Sequence, residues 1–327
     1  MIVKPRKYPI AIKKLKAIQG RLAQSHPKYE IISENISKRL AGYKGEKSLD
    51  YHLSFLDEKT FHIMHDVRLF DGKHYFHIDT LILSRKFIYL LEVKNISGTL
   101  FFDNQFNQLI RTQNNTKEAF PDPLIQVERQ CNQLNKWLKL NKFKNLHIKD
   151  LIVISSPRTI LETFPNNEKI HQKVIHSAKL PFKIKYFEES QEKNLLTENQ
   201  LNKLSKLMIE KHTPGNTDYL ELYNISDVEL QKGVICSNCS RLPMEIRRGR
   251  WICNYCHFIS KDAHLSALED YFLLISKEIT NAQIRTFLKI PSIYIANKIL
   301  TSLKVNVTGK NKGRVYHLDF DSKIQNY

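Results

Sequence analysis

A chain of 327 residues has room for two or three domains, and a make-up of 42% hydrophobic and 26% charged residues is that of a soluble globular protein. Lys and Arg number 51 against 33 Asp and Glu, a net charge of +18 spread along the chain, which points to a polyanionic partner unless it reflects a generally lysine-rich proteome. No run nears the ~18 apolar residues of a spanning helix, and residues 1–20 lack the continuous apolar stretch of a signal peptide, so no membrane association is expected and residence in the cytoplasm is.

Residues 1–29 form a basic segment with Lys4, Arg6, Lys7, Lys13, Lys14, Lys16 and Arg21, either an arm on DNA or a solvated surface. From Ile31 to Leu56 the apolar spacing is helical, with interruptions expected at Gly42 and Gly45 and with Glu46 at the start of the second segment. A strand from Phe61 to Phe70 and the turn Asp71-Gly72-Lys73 follow. The runs Ile78–Leu83 and Phe87–Leu91, separated by Ser84-Arg85-Lys86, predict a β-hairpin. Leu100–Phe102 reads as a short strand and the polar residues 103–119 as a mobile excursion. Pro121-Asp122-Pro123 then starts an amphipathic helix carrying Leu124, Val127, Cys131, Leu134 and Leu138, with Gln126 in its first turn. Leu151–Ile154 and Phe182–Phe187 are expected to be buried strands, Leu195–Ile209 a helix.

The hairpin carries acid where a buried strand should be apolar. Burying a carboxylate is costly unless something compensates it, so Asp79 near the start of one strand and Glu92 at the end of the other suggest a cation between them. Lys94 lies two residues beyond Glu92 and so points to the same face. Two acids and a lysine at one sheet end suit metal-assisted phosphodiester hydrolysis, with Mg²⁺ or Mn²⁺ polarising the phosphate and the amine serving the attacking water. A bare Glu-x-Lys is more often an exposed ion pair, and only its neighbours lift this one above that reading.

Gly45-Glu46, His77-Ile78-Asp79, Glu92-Val93-Lys94-Asn95 with Gly98, and Pro123 with Gln126 resemble the nuclease-related domain (NERD) family in order and spacing, over about residues 38–150. That family is similar to the PD-(D/E)XK superfamily of restriction endonucleases and Holliday-junction resolvases. The resemblance implies that Glu46, Asp79, Glu92 and the Val93 carbonyl hold the metal, that Lys94 serves the attacking water and that Gln126 supports the site. It also implies in-line attack leaving a 5′-phosphate and a 3′-hydroxyl. Phe106 stands near where many members have tryptophan, a departure expected to touch packing alone.

Cys236-Ser-Asn-Cys239 and Cys253-Asn-Tyr-Cys256, with 13 residues between the pairs, match the two knuckles of a four-thiolate structural Zn²⁺ site. A reducing compartment favours such ligation over disulfides. The hairpin between them carries Arg247, Arg248 and Arg250, candidates for phosphate contact. His257 is read as a bystander and Cys131 as core. From Asp262 three helices and a basic-tipped hairpin follow, the second helix capped by Thr280 and the third by Ser292. This describes a winged helix-turn-helix, whose third helix would present Ser292, Tyr294, Asn297 and Lys298 to a major groove while Lys310, Lys312 and Arg314 meet the backbone. Protein contact is the competing use of such a module.

The expected fold is α/β: a restriction-endonuclease-like core, a mixed sheet flanked by helices, followed by a zinc ribbon and a small winged helix. Its divisions are a basic segment 1–29, a nuclease domain 30–212, a linker 213–232, a zinc ribbon 233–260 and a winged helix 261–327. The expected function is a metal-dependent DNA nuclease in defence or repair, with RNA open as substrate and a homodimer open as assembly. A non-catalytic DNA-binding regulator built on the same scaffold is the alternative.

Overall fold

The computed structural model describes residues 1–320, apart from the side chain of Lys312, so the expected contact at Lys312 and the last residues of the expected winged helix lie outside the described residues. The chain opens with β1 (Ile2–Lys4), α1 (Ile10–Arg21) and the long α2 (Tyr29–Leu53). α2 is unbroken, so Glu46 lies in mid-helix and not at the start of a second segment. A helical glycine costs only about 1 kcal/mol against alanine, a penalty that packing readily offsets. Gly45 has a packing reason to be there: a Cβ would sit 2.3 Å from Asn95 Cβ and 2.7 Å from Ser155 Oγ. Asn95 Nδ2 also donates to the Ala41 carbonyl at 2.8 Å, so the helix bears directly on the loop that follows the Glu92-x-Lys94 strand.

Next come β2 (His62–Phe70), β3 (Tyr75–Leu83) and β4 (Phe87–Lys94), an antiparallel meander whose β3–β4 hairpin is the expected one. After them, β5 (Thr99–Asp103), β6 (Gln108–Gln113) and β7 (Thr116–Pro121) occupy the stretch expected to be an excursion. The reason is turn chemistry. Asn114 and Asn115 both adopt positive φ, 50° and 60°, as a tight two-residue hairpin turn requires. Polarity in β7 reflects solvent on an outer strand, and Phe106, at the β5–β6 turn, is 76% exposed and so packs against little.

α3 (Pro123–Leu140) starts as expected, with Pro123 in its first turn and the Asp122 side chain accepting from Leu124 N at 2.8 Å. β8 (His147–Ile154) runs parallel to β4, and β9 (Ile160–Thr163) parallel to β5. α4 (Glu168–Lys173), β10 (Val174–His176), α5 (Leu180–Glu189) and α6 (Glu198–Lys211) follow. Residues 182–187 are thus helix and not strand: Leu180, Ile184 and Phe187 recur at helical spacing, with Leu180 and Ile184 buried.

The main sheet has the mixed order β1-β2-β3-β4-β8-β10, and a second sheet the order β7-β6-β5-β9. Side-chain alternation gives the main sheet two apolar faces. Leu81, Leu90 and Ile152 lie against Val127, Leu134 and Leu138 of α3. Ile82, Tyr89, Leu91 and Val153 lie with Leu49 and Leu53 of α2 and Ile184 of α5. This mixed sheet flanked by helices is the expected architecture.

The chain divides into two compact units, Met1–Tyr8 with Arg39–Gly215, and Pro9–Lys38 with the chain from Asn216 onward. The boundaries differ from the expected ones because residues 1–29 do not form a segment of their own. β1 pairs with β2 in the first unit. α1 buries Ile12, Leu15 and Ile18 in the second. There Arg21 is fully buried, ion-paired to Asp270 at 2.8 Å, bonded to the Gln231 and Gly233 carbonyls and stacked 4.4 Å over the Phe287 ring. Much of the leader's charge is therefore structural. The expected linker 213–232 holds α7 (Tyr219–Tyr223) and buries Tyr219, Tyr223, Ile225 and Leu230.

In the second unit, β11 (Glu245–Arg247), β12 (Arg250–Ile252) and β13 (Ile259–Ser260) form a small antiparallel sheet. α8 (His264–Leu274), β14 (Glu278–Thr280), α9 (Asn281–Leu288), α10 (Ile293–Ser302), β15 (Asn306–Thr308) and β16 (Val315–His317) follow, with sheet order β14-β16-β15. Three helices and the β15–β16 hairpin are what the sequence leads us to expect, whereas β14, pairing with β16, is a third strand that it does not, and Thr280 and Ser292 cap α9 and α10. The ribbon and the wing share one core, in which Cys236, Trp251 and Cys253 lie with Leu268, Ile284 and Leu300. Among the described residues no helix is long and apolar enough to cross a membrane.

Candidate metal-dependent nuclease site

β3 and β4 are paired from Leu83–Ile88 up to Thr80–Leu91 and part at the next rung, where Asp79 would face Glu92. The side chain of Asp79 takes over the role of the missing ladder carbonyl, its Oδ2 accepting from Val93 N at 2.9 Å. Asp79, Glu92 and Lys94 share the sheet face covered by α3. Lys94 Nζ donates to Glu92 Oε1 at 2.8 Å and to Gln126 Oε1 at 3.0 Å. Gln130, one turn beyond Gln126, donates to Glu92 Oε2 at 3.0 Å and to the His77 carbonyl at 3.0 Å. Each expected side chain of the hairpin and of α3 is thus brought to one end of the sheet.

Glu46 reaches the same end from α2. Its nearest partner is Arg6, whose Nη1 donates to Glu46 Oε2 at 2.6 Å. Among the described residues the four cysteines are the one set of three or more metal-type ligand atoms lying within 4.8 Å of one another. The three acids therefore act on each other through space without closing into a ligand cage. Burial first, then the charges of Glu92 and Glu46, push the Asp79 carboxyl up to about 7. Burial likewise raises the Glu46 carboxyl, against the opposing pull of Arg6. His77, which donates toward Asp66 at 2.7 Å and stands 3.5 Å from Asp79, is raised by these carboxylates over the opposing effect of burial.

These shifts have one sign for stability. In the window between the ordinary 3.8 and about 7, folded Asp79 holds a proton that the unfolded chain has released, so its contribution falls as pH climbs through that window. Glu46 acts the same way, and His77, raised when folded, loses its stabilising charge as pH passes its folded value. Asp66, lowered, changes only below its ordinary 3.8. We expect the protein without divalent metal to melt at a lower temperature in mildly alkaline than in mildly acid buffer, and Mg²⁺ to narrow the gap. Melting curves with and without Mg²⁺ check this, and a gap that Mg²⁺ leaves unchanged would count against a cation site here.

Sequence reasoning missed three participants. Arg6 lies in a segment that reads equally as an arm on DNA or a solvated surface, Gln130 carries no motif, and the Asn95–Gly45 contact is a matter of packing. The signal for Gln130 was its i+4 spacing from Gln126.

In the cysteine module, Cys236 and Cys253 are buried, and all four Sγ atoms lie within 4.8 Å of one another. The two knuckles are built alike. Ser240 N bonds to Cys236 O at 2.8 Å and His257 N to Cys253 O at 2.9 Å, and Ser240 and His257 both sit at positive φ, 58° and 57°. His257 is thus the turn residue after the last ligand. This donor set fits tetrahedral Zn²⁺ and leaves no open position.

The expected nucleic-acid contacts are less uniform. Arg248 and Arg250 are exposed at the β11–β12 tip, as is Arg247, which is tied to Glu245 at 2.7 Å. On α10, Tyr294 and Lys298 are exposed, Asn297 accepts from Asn281 at 2.8 Å, and the Ser292 hydroxyl is spent on capping Ile295 N. Lys310 and Arg314 are exposed beside the wing turn.

Residues 41–155, about a third of the chain, match the nuclease-related domain (NERD) family, so the resemblance drawn from the motifs is borne out over this segment. Comparisons with curated proteins and with solved structures find no match.

Proposed function

We propose that the chain is a divalent-metal-dependent nuclease that hydrolyses DNA. The observation that carries this reading is the pair Asp79 and Glu92 at the parting rung of β3 and β4, with Lys94 held between Glu92 and Gln126, inside a segment of nuclease-related family. The donor set fits a hard cation: burial and then the neighbouring Glu92 and Glu46 carboxylates push the Asp79 carboxyl up to about 7, and Gln130 Oε1 is buried without a partner. Glu46, Asp79, Glu92 and the Val93 carbonyl would hold Mg²⁺ or Mn²⁺. When bound, the ion supplies Lewis-acid polarisation of the phosphodiester and acidification of an attacking water.

The remaining work falls to this chain's own groups. Lys94, fixed by two acceptors, orients the water and offsets charge growing on the phosphorus-bound oxygens. Gln126 and Gln130 hold Lys94 and Glu92 in place. Water attacks phosphorus and releases a proton to solvent, the P–O3′ bond breaks, and the leaving oxygen takes a proton from solvent, so the two transfers cancel. The basic tips at Arg248, Arg250, Lys310 and Arg314 would grip the backbone of the substrate, and the exposed face of α10 would enter its major groove. Zn²⁺ on the four cysteines would fold the module, and its thiolates suit a reducing cytoplasmic setting.

The test is incubation of zinc-loaded protein with linear, circular, single-stranded and branched DNA, and with RNA, with and without Mg²⁺ or Mn²⁺. Metal-dependent cleavage of DNA is the expected result. Cleavage of RNA alone would move the substrate class, and binding without cleavage under every condition would leave a DNA-binding regulator in its place.

A further inference from the structure

We propose that Arg6, outside the family segment, is a built-in counter-cation that holds Glu46 Oε2 and competes with a divalent ion for that carboxylate. The inference rests on the nuclease reading only for Glu46 as a metal ligand. Arg6 follows β1, whose pairing with β2 and whose Lys4 bonds to the His65 and Asp66 carbonyls at 2.7 and 2.8 Å fix the strand beside the site. Its side chain is only 4% exposed. Nη1 donates to Glu46 Oε2 at 2.6 Å, while Nη2 donates to His65 Nδ1 at 2.9 Å and Thr80 Oγ1 at 3.3 Å and lies 3.5 Å from Asp50 Oδ1.

Two consequences follow from this geometry. A buried guanidinium on one carboxylate oxygen competes with another cation there, because it takes a lone pair of Glu46 Oε2 and its positive charge opposes a second cation on the same carboxylate. Its second nitrogen has separate anchors in His65, Thr80 and Asp50, so the charge stays in place when Glu46 turns away. Arg6 thus keeps a site crowded with carboxylates electrically balanced before metal arrives, and sets how much metal is needed to load it.

The test reads metal binding without substrate. Mn²⁺ is titrated into zinc-loaded wild-type, R6M and R6K full-length chains and followed by calorimetry and by the Mn²⁺ paramagnetic signal, with circular dichroism on each sample. R6M, nearly isosteric and neutral, is expected to bind Mn²⁺ about tenfold more tightly than wild type, and R6K, which keeps the charge but cannot span both sets of acceptors, to fall between them. Unchanged or weaker Mn²⁺ binding in a folded R6M protein overturns the proposal. If R6M does not fold, R6K decides it: tighter binding supports the competition, and equal or weaker binding ends it. A parallel cleavage assay keeps the two readings apart. Tighter Mn²⁺ binding by R6M with no cleavage by any form would sink the nuclease reading and leave the competition standing. Cleavage by wild type with R6M binding Mn²⁺ no more tightly would do the reverse.

Discussion

Glu92→Ala is expected to lower metal-dependent cleavage by about 10³-fold or more while leaving DNA affinity within a few-fold of wild type. The loss has three parts. A carboxylate that would hold the cation disappears, Lys94 Nζ loses its 2.8 Å anchor, and the Gln130 amide loses an acceptor in a buried place. Binding should survive, because removing an acid does not weaken phosphate contact made elsewhere. Asp79→Ala should behave alike, and Gln126→Ala should cost less, about 10- to 100-fold, since it acts through Lys94. Initial-rate cleavage assays with Mg²⁺, paired with DNA-binding isotherms, measure both quantities. Near-wild-type cleavage by a folded E92A protein would end the hydrolytic reading.

Cys253→Ser is expected to abolish stoichiometric zinc and to unfold the second unit's core. Structural zinc in small modules is worth about 10–16 kcal/mol at neutral pH, as much as or more than the ~5–15 kcal/mol by which whole domains are stable. The ribbon has little else, since its strands are two or three residues long. The damage should spread beyond it. Cys253 and Trp251 are about 1% exposed in the same cluster as Leu268 and Ile284, and Trp251 Nε1 donates to His264 Nδ1 at 3.1 Å. Metal content by mass spectrometry, near-ultraviolet circular dichroism and DNA affinity should fall together, and chelation of the wild type should reproduce the effect. A C253S chain with unchanged zinc and an intact near-ultraviolet spectrum would remove the metal from the account.

Much of this was legible in residue order, and what was not has identifiable causes. The β3–β4 hairpin, the Asp122 cap, the two cysteine knuckles and the Thr280 and Ser292 caps are local devices, written in adjacent residues. The β6–β7 hairpin escapes because Asn114-Asn115 signals polarity in sequence and shows itself as a pair of left-handed positions only in the folded backbone. α5 escaped because Phe182–Phe187 is apolar enough for either period. Arg6 and Arg21 escaped for a different reason: whether a basic side chain meets water or a carboxylate is decided by partners 40 and 249 residues away in sequence. No window of the chain contains that information.

The way the main sheet is assembled bears on how the protein may be dissected. Its outermost strands, β1 and β10, fall outside residues 41–155, and a cut at residue 41 passes through the middle of α2. An excised family segment would carry Asp79, Glu92 and Lys94 but expose raw backbone on both flanks and shed the helical turns N-terminal to Glu46. The matched segment is thus smaller than the sheet that carries Asp79, Glu92 and Lys94, whose two border strands come from outside it.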